Sequence, residues 1–260
     1  MLFSIKKVET PADKNQFIRL PWKIYSDFPA WVPPLVSERK KFLSPRTNPF
    51  YKESEVDLFL VVSGDQKPVG RIALIINHAH NKTYSERVGF FGMFETINDS
   101  QVSDLLLNKA EKWCQKNKLK KLLGPVNLST NHECGLLIDG FDTPPVIGIP
   151  YNPQYYIDFM ESWGLSKVKD LVSLRLDLIR IPDYLELGVA RLRKRNHYSI
   201  RPIRMNKFSD ELEKIWEIYN SSWRSNWGFV QISKEEFEYS ANEMRSFINP
   251  EFCFIAEVKG

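Results

Sequence analysis

A polar stretch at residues 127–133 carries the side chains best suited to chemistry in this sequence. It follows a short apolar run at 121–126, and ligands often bind just beyond strand ends in open α/β sheets. The side chains expected to line a pocket for a substrate amine or amide are Asn127, Ser129, Asn131, His132, Glu133 and, at the start of the next helix, Tyr155. The alternative is that these side chains satisfy backbone groups of a long buried loop, as Asn and Ser commonly do.

Two histidine arrangements suggest other chemistry, and neither is favoured. His132 is two residues from Cys134, but a nucleophile and its base normally meet through the fold rather than as chain neighbours. His78 and His80 are predicted to share one face at the end of a strand, a spacing that could ligate a metal. No third ligand is evident, so the sequence predicts an exposed strand end and no metal site.

Composition narrows the class of protein. A net charge of +4 among 260 residues does not indicate a dedicated nucleic-acid binder. A basic run at 191–207 either contacts phosphates or forms a solvated linker helix, and we favour the helix. No apolar run is long enough to span a membrane, and three widely spaced cysteines fit a reducing compartment, so the cytoplasm is expected.

Hydrophobic periodicity predicts the elements that must position the polar stretch. Strands are predicted at 3–8, 57–63, 68–77, 88–95, 122–126 and 168–178, and helices at 12–25, 36–43, 101–117 and 155–163. We therefore expect an α+β fold with a mixed, mostly antiparallel sheet flanked by helices. Apolar residues at 136–138 and 141 predict that the long loop after residue 126 is ordered.

An internal repeat sets the domain organisation. SIKKVE, WKIY and FLVVSGD at 4, 22 and 59 match SIRPIR, WEIY and FIAEVKG at 199, 216 and 254, with offsets of 195, 194 and 195 residues. We expect a domain at 1–180, a connecting basic helix at 181–198 and an incomplete second domain at 199–260, with the two repeated units packing together. The second copy stops where the first makes its hairpin, which predicts a fragment of a longer protein or a last strand docked on the first domain.

The order of elements and several segments resemble the GNAT superfamily of acyl-coenzyme A dependent N-acyltransferases. The segments are WVPPL, NPFY, VGRIA, GFFGMFE, GPVNLSTNHECGLLIDGF and NWGF, and they are similar to a bacterial GNAT-like family with two such domains in tandem. The resemblance implies an acyl-CoA or acetyl-CoA donor, a small amine or amino acid derivative as acceptor, and no metal.

The same resemblance implies roles for individual residues. The coenzyme would lie against Met93, Phe94, Glu95 and Thr96, although the turn that follows contains no glycine and both Glu95 and Asp99 add negative charge there. Backbone N–H groups near Met93 and Phe94 would hold the oxyanion. The tyrosine that usually acts as the general acid in the superfamily is replaced here by Met160, four residues before Gly164. Tyr156 lies one turn earlier on the same face.

These residues give two functional hypotheses. In the first, the chain is an N-acyltransferase in which Glu133 deprotonates the amine and Tyr156 protonates the departing thiolate. In the second, the first domain is a degenerate, non-catalytic module that binds a ligand or another domain, and the activity resides in a missing C-terminal half.

Overall fold

The computed structural model of this protein describes residues 2–175, 181–195 and 198–258. The chain forms two compact units. Unit 1 comprises Met1–Val168 and Trp223–Ile232, and unit 2 comprises Lys169–Ser222 and Ser233–Gly260. The domain boundaries expected at 180 and 198 stay a prediction.

Unit 1 is built on a five-stranded sheet whose strands lie in chain order. The strands are β1 (Phe3–Lys7), β2 (Ser54–Ser63), β3 (Pro68–Asn77), β4 (Val88–Thr96) and β5 (Lys121–Leu123). Neighbours are antiparallel except β4 and β5, which run parallel. The mixed, mostly antiparallel sheet expected from the sequence is therefore present.

Helices cover both faces of this sheet. They are α1 (Pro11–Ile24), α2 (Val36–Phe42), α3 (His78–Tyr84), α4 (Ser100–Lys116) and α5 (Tyr155–Trp163). Alternate residues of a strand point to opposite faces. Ile72 and Leu74 of β3 accordingly join a core with α4 and α5, whereas Ala73 and Ile75 join a second core with α1.

Unit 2 is smaller and contains a two-stranded sheet. Its elements are α6 (Asp183–Arg195), β6 (Tyr198–Pro202), α7 (Phe208–Trp223, whose last residue belongs to unit 1), α8 (Lys234–Met244) and β7 (Phe254–Val258). Glu211 is fully buried and pairs with Arg201 at 2.6 Å and with Arg204 at 2.9 Å. These two arginines of the predicted basic run therefore serve an internal ion-pair network.

The internal repeat of the sequence is also present in the strand pairings. In unit 1, β1 pairs with β2 so that Phe3 faces Ser63 and Lys7 faces Phe59. In unit 2, β6 pairs with β7 so that Tyr198 faces Val258 and Pro202 faces Phe254. Every pair of the second sheet is thus a pair of the first moved along the chain by 195 residues, which means that the two sequence copies adopt the same antiparallel register.

Two local predictions were wrong. Residues 168–175 form no strand, and 176–178 lie outside the described residues. Val172 and Leu174 are exposed, and residues 168–175 belong to neither of the two described sheets. His78 and His80 begin helix α3 instead of ending a strand, since the Asn77 side chain accepts the His80 N–H and caps the helix.

Gly92 of β4 provides a test of this fold. A Cβ atom at residue 92 would lie 1.6 Å from the backbone oxygen of Val126, whereas a Cβ atom at Gly89 would first meet the flexible end of Leu119 at 2.8 Å. We expect Gly92→Ala to lower the free energy of unfolding by about 3 kcal/mol, because backbone must move.

Urea unfolding of Gly92→Ala beside Gly89→Ala measures the difference between the two sites. Equal stabilities of the two variants would contradict the close approach of Val126 to β4.

Candidate active site

The site begins where β4 is interrupted. The pairing of β3 with β4 shifts between Arg71 and Ala73, so β4 contains one extra residue and forms a bulge. Met93 lies in this bulge with a φ of 46°, and its N–H donates to Oδ1 of Asn127 at 2.7 Å. Asn127, the first residue of the polar stretch, therefore accepts the hydrogen bond of the residue in the bulge.

Asn127 extends this contact to a charged pair. Its Nδ2 donates to Oε2 of Glu133 at 2.7 Å, and Nη2 of Arg39 on α2 donates to Oε1 of Glu133 at 2.9 Å. The Glu133 side chain remains 29% exposed. The result is a chain of contacts, Arg39 to Glu133 to Asn127 to the Met93 N–H, which we call the Glu133 relay.

A second polar network lies at the end of β4. Oε2 of buried Glu95 accepts hydrogen bonds from the hydroxyls of Tyr25 and Tyr156 at 2.7 and 2.8 Å, and Oε1 accepts one from Arg71 at 3.3 Å. Burial raises the pKa of Glu95, and the Arg71 charge opposes that shift. Because its carboxylate is held in the core by these three partners, Glu95 does not add an open negative charge at the following turn, as the sequence had suggested.

The aromatic residues at the start of α5 complete this second network. The Tyr156 hydroxyl accepts the Thr96 N–H at 2.8 Å, and the Tyr155 hydroxyl donates to the Thr96 carbonyl at 2.8 Å. Phe94 packs edge-on against Tyr156 at 5.2 Å between ring centroids. Burial and the Glu95 charge raise the pKa of Tyr156 well above its usual value, so its hydroxyl stays protonated.

His132 lies in an apolar recess beside the relay. Its Nδ1 is 3.0 Å from Oγ of Ser129, and its ring meets Phe42 and Phe50 edge-on. Burial lowers the pKa of His132 to about 4, so the ring is neutral at pH 7. Burial also raises the pKa of the Cys134 thiol, which opposes thiolate formation and does not favour a Cys–His mechanism.

The middle of the polar stretch binds a distant part of the chain. Oγ1 of Thr130 donates to the Gly228 carbonyl at 2.7 Å, and Nδ2 of Asn131 donates to the Val230 carbonyl at 2.9 Å. Phe229, between these two residues, is buried and accepts a hydrogen bond from Tyr84 through its carbonyl. Thr130 and Asn131 therefore hold segment 223–232 in unit 1. Their side chains satisfy backbone groups of a loop, which was the alternative to substrate binding.

The N-terminus of α4 does not fit a coenzyme pyrophosphate. The Asp99 carboxylate accepts the Gln101 N–H at 2.9 Å and caps the helix, so negative charge already occupies the end where a phosphate would bind. The Met93 N–H is likewise engaged by Asn127. The turn before α4 is therefore an unfavourable place for the coenzyme's phosphates.

The structure groups the predicted site residues around β4 in two places. Glu133 and Asn127 meet at Met93, whereas Tyr155 and Tyr156 meet at Glu95 and Thr96. Ser129 and His132 lie outside both groups and form a separate, partly buried contact. Sequence reasoning missed Arg39, Tyr25 and Arg71. The signal for Arg71 was available, since an arginine within the apolar run VGRIALII needs a buried partner.

The described residues contain neither a metal-binding cluster nor a membrane-spanning helix. No group of three His, Cys, Asp or Glu side chains among them could hold a metal ion. None of the described helices combines the length and the apolar character that crossing a bilayer requires.

No family model matches this chain, but two known proteins are similar to it over nearly its whole length. It is 33% identical to the bacterial ceramide synthase of Caulobacter vibrioides over 260 residues, which cover 99% of this chain and 67% of that protein. It is 35% identical to YghO of Escherichia coli over 249 residues, covering 95% and 63%. The chain thus spans about two thirds of the length of these relatives.

A solved structure supports the fold. The tandem GNAT protein from the clavulanic acid biosynthesis pathway aligns with a TM-score of 0.50 and 10% identity, covering 94% of this chain and 66% of that one. Together with the sheet order and the bulge in β4, this likeness shows the GNAT fold. The resemblance seen in the sequence is confirmed.

The lowered pKa of the half-buried His132 predicts a pH dependence of stability. Its folded pKa is about 4 and its ordinary value is 6.5, so the unfolded chain binds more protons between these values and stability falls as the pH drops through them. Burial is the main cause, while Glu133 raises the pKa and Arg39 lowers it. Between pH 6.5 and 4.5, we expect the free energy of unfolding of His132→Gln to fall by about 2 kcal/mol less than that of the natural protein.

Urea unfolding across this pH range measures that difference, with His78→Gln, a change at an exposed histidine, as the matched control. Parallel curves for the natural protein and His132→Gln would show that the folded protein does not hold His132 in its neutral form.

Proposed function

We propose that this chain, which belongs to the family of the bacterial ceramide synthase of Caulobacter vibrioides, takes part in N-acyl transfer to an amine and that unit 1 binds the amine. The observation that carries the proposal is the Glu133 relay. It holds a partly exposed carboxylate at a fixed place beside the bulge of β4.

The relay suits the acceptor side of such a reaction. An ammonium group forms strong, charge-assisted hydrogen bonds with a carboxylate. Each Glu133 oxygen accepts one hydrogen bond within the relay, and a carboxylate offers about four acceptor positions, so room remains for an amine. The ammonium must lose a proton before its nitrogen can attack an acyl carbon, and in this proposal Glu133 takes that proton and becomes a neutral acid.

Surface near the second network suits an acceptor with an apolar chain. The Tyr25 ring stacks on Trp31 at 4.7 Å and lies 6.0 Å from Tyr151, so the loops that contain these residues meet there. Exposed apolar side chains on the two loops are Val32, Leu35, Ile138, Val146 and Ile147. The relative's name describes an enzyme that makes ceramide, an amide of a long-chain amino alcohol, and we propose a long-chain amine as acceptor here.

The donor is proposed to be an acyl-CoA, as the superfamily resemblance implies. The capped N-terminus of α4 and the engaged Met93 N–H do not favour coenzyme binding in unit 1. They favour a second candidate, in which unit 1 is a non-catalytic module that binds the amine. The repeated strand register supports two units derived from one, although their packing together stays a prediction.

A cytoplasmic location is part of the same proposal. Cys114, Cys134 and Cys253 are all free thiols, as expected in a reducing compartment.

Substitution of Glu133 tests whether this residue is the general base. We expect Glu133→Gln to lower the rate of amide formation by about 100-fold or more, because a general base of this kind contributes at least that much. Glu38→Gln is the matched control, since Glu38 also lies near Arg39, at 3.9 Å, but outside the relay. The rate of acyl transfer from acyl-CoA to a long-chain amine is the measurement.

Calorimetry on the same variants separates the two candidates. Loss of amine binding together with loss of turnover in Glu133→Gln supports an acceptor site. Normal turnover in Glu133→Gln would remove Glu133 from the mechanism, and amine binding without any heat from acyl-CoA would favour the non-catalytic module.

A further inference from the structure

A groove lies on unit 1 away from both polar networks of the candidate active site. It has a volume of about 340 Å³, which is within the range of small-ligand pockets. Its lining comes from β1, β2 and α4 and consists of Ile5, Lys7, Asp57, Phe59, Lys109, Lys112, Trp113 and Lys116.

Regular secondary structure places these residues on one surface. Residues 5 and 7 of β1 and residues 57 and 59 of β2 alternate toward the same face of the sheet, where Lys7 is the register partner of Phe59. On α4, residues 109, 112, 113 and 116 recur at helical spacing and form one stripe. The groove is therefore a fixed product of the sheet and helix rather than of a loop.

The floor of the groove is apolar. Phe59 and Trp113 belong to the core between the sheet and α4, and Ile5 packs against that core. The ammonium group of Lys109 lies 4.6 Å from the centre of the Phe59 ring. An apolar chain laid along the groove would contact these rings and the aliphatic part of the lysine.

The rim of the groove carries excess positive charge. Asp57 is the one acid among the lining residues that the structure describes, and both of its oxygens are engaged, by Lys7 at 2.6 Å and by the Trp113 indole N–H at 2.8 Å. Lys112 and Lys116 are exposed, and within the described residues they form no ion pair. The three lysines of α4 in the lining thus place more positive charge beside the apolar floor than Asp57 neutralises.

We propose that this groove binds an anionic amphiphile, with its acidic head between Lys109, Lys112 and Lys116 and its apolar chain along Ile5, Phe59 and Trp113. Lysine is a point-charge donor suited to phosphate or carboxylate oxygens. A simple anion would use the rim alone, whereas an amphiphile uses both the charge and the rings. The head can belong to a free molecule or to a lipid in a bilayer.

The test uses dodecyl phosphate as probe and substitution of the rim. We expect saturable binding by calorimetry that weakens about tenfold in Lys112→Gln/Lys116→Gln and further when Lys109→Gln is added. The matched control is Lys23→Gln/Lys40→Gln/Lys82→Gln, which removes the same charge from exposed lysines of unit 1 outside the groove and should leave binding within about twofold.

Further measurements identify the ligand chemistry. Vesicles of phosphatidylcholine with phosphatidylglycerol that retain the protein, but not its double variant, would assign the head to a bilayer lipid, whereas binding of the free probe alone would assign it to a soluble amphiphile. The proposal fails if the rim variants bind dodecyl phosphate as the natural protein does. It also fails if inorganic phosphate binds equally well, or if duplex DNA is the ligand that the rim variants lose.

Discussion

The hydrogen bond from the Met93 N–H to the Asn127 side chain is the constraint on which the candidate site depends. A bulge in a buried strand leaves backbone groups that must find partners elsewhere. Asn127 supplies the partner at 2.7 Å, and Gly92 permits it because a side chain there would strike Val126. Once Asn127 is fixed, its amide nitrogen fixes Glu133, and Arg39 holds the other carboxylate oxygen.

The second polar network stabilises a buried carboxylate at the end of β4. Removal of a carboxylate from water is unfavourable unless hydrogen bonds and an opposite charge compensate. Glu95 has all of these, because Arg71 is its cross-strand neighbour and two tyrosines donate to it. The network therefore anchors α1 and α5 to β4, which leaves Glu133 as the more accessible acid of the site.

Much of the fold could be predicted because the helices and most strands have clear periodicity, and the repeat was visible as three collinear matches. The expected strand is absent from residues 168–175, because an alternating pattern cannot reveal whether a partner strand exists. The polar stretch stays a prediction as a site, and the sequence could not separate Thr130 and Asn131 from Asn127 and Glu133. Their partners, segment 228–230 and Arg39, lie about 100 residues away, and no local pattern encodes such contacts.

Amide hydrogen exchange at Met93, followed by nuclear magnetic resonance, tests the central claim most directly. The account predicts a strongly protected Met93 amide that loses protection in Asn127→Ala and keeps it in Asn131→Ala, because only Asn127 accepts that N–H. Rapid exchange at Met93 in the natural protein, or unchanged protection in Asn127→Ala, would contradict it.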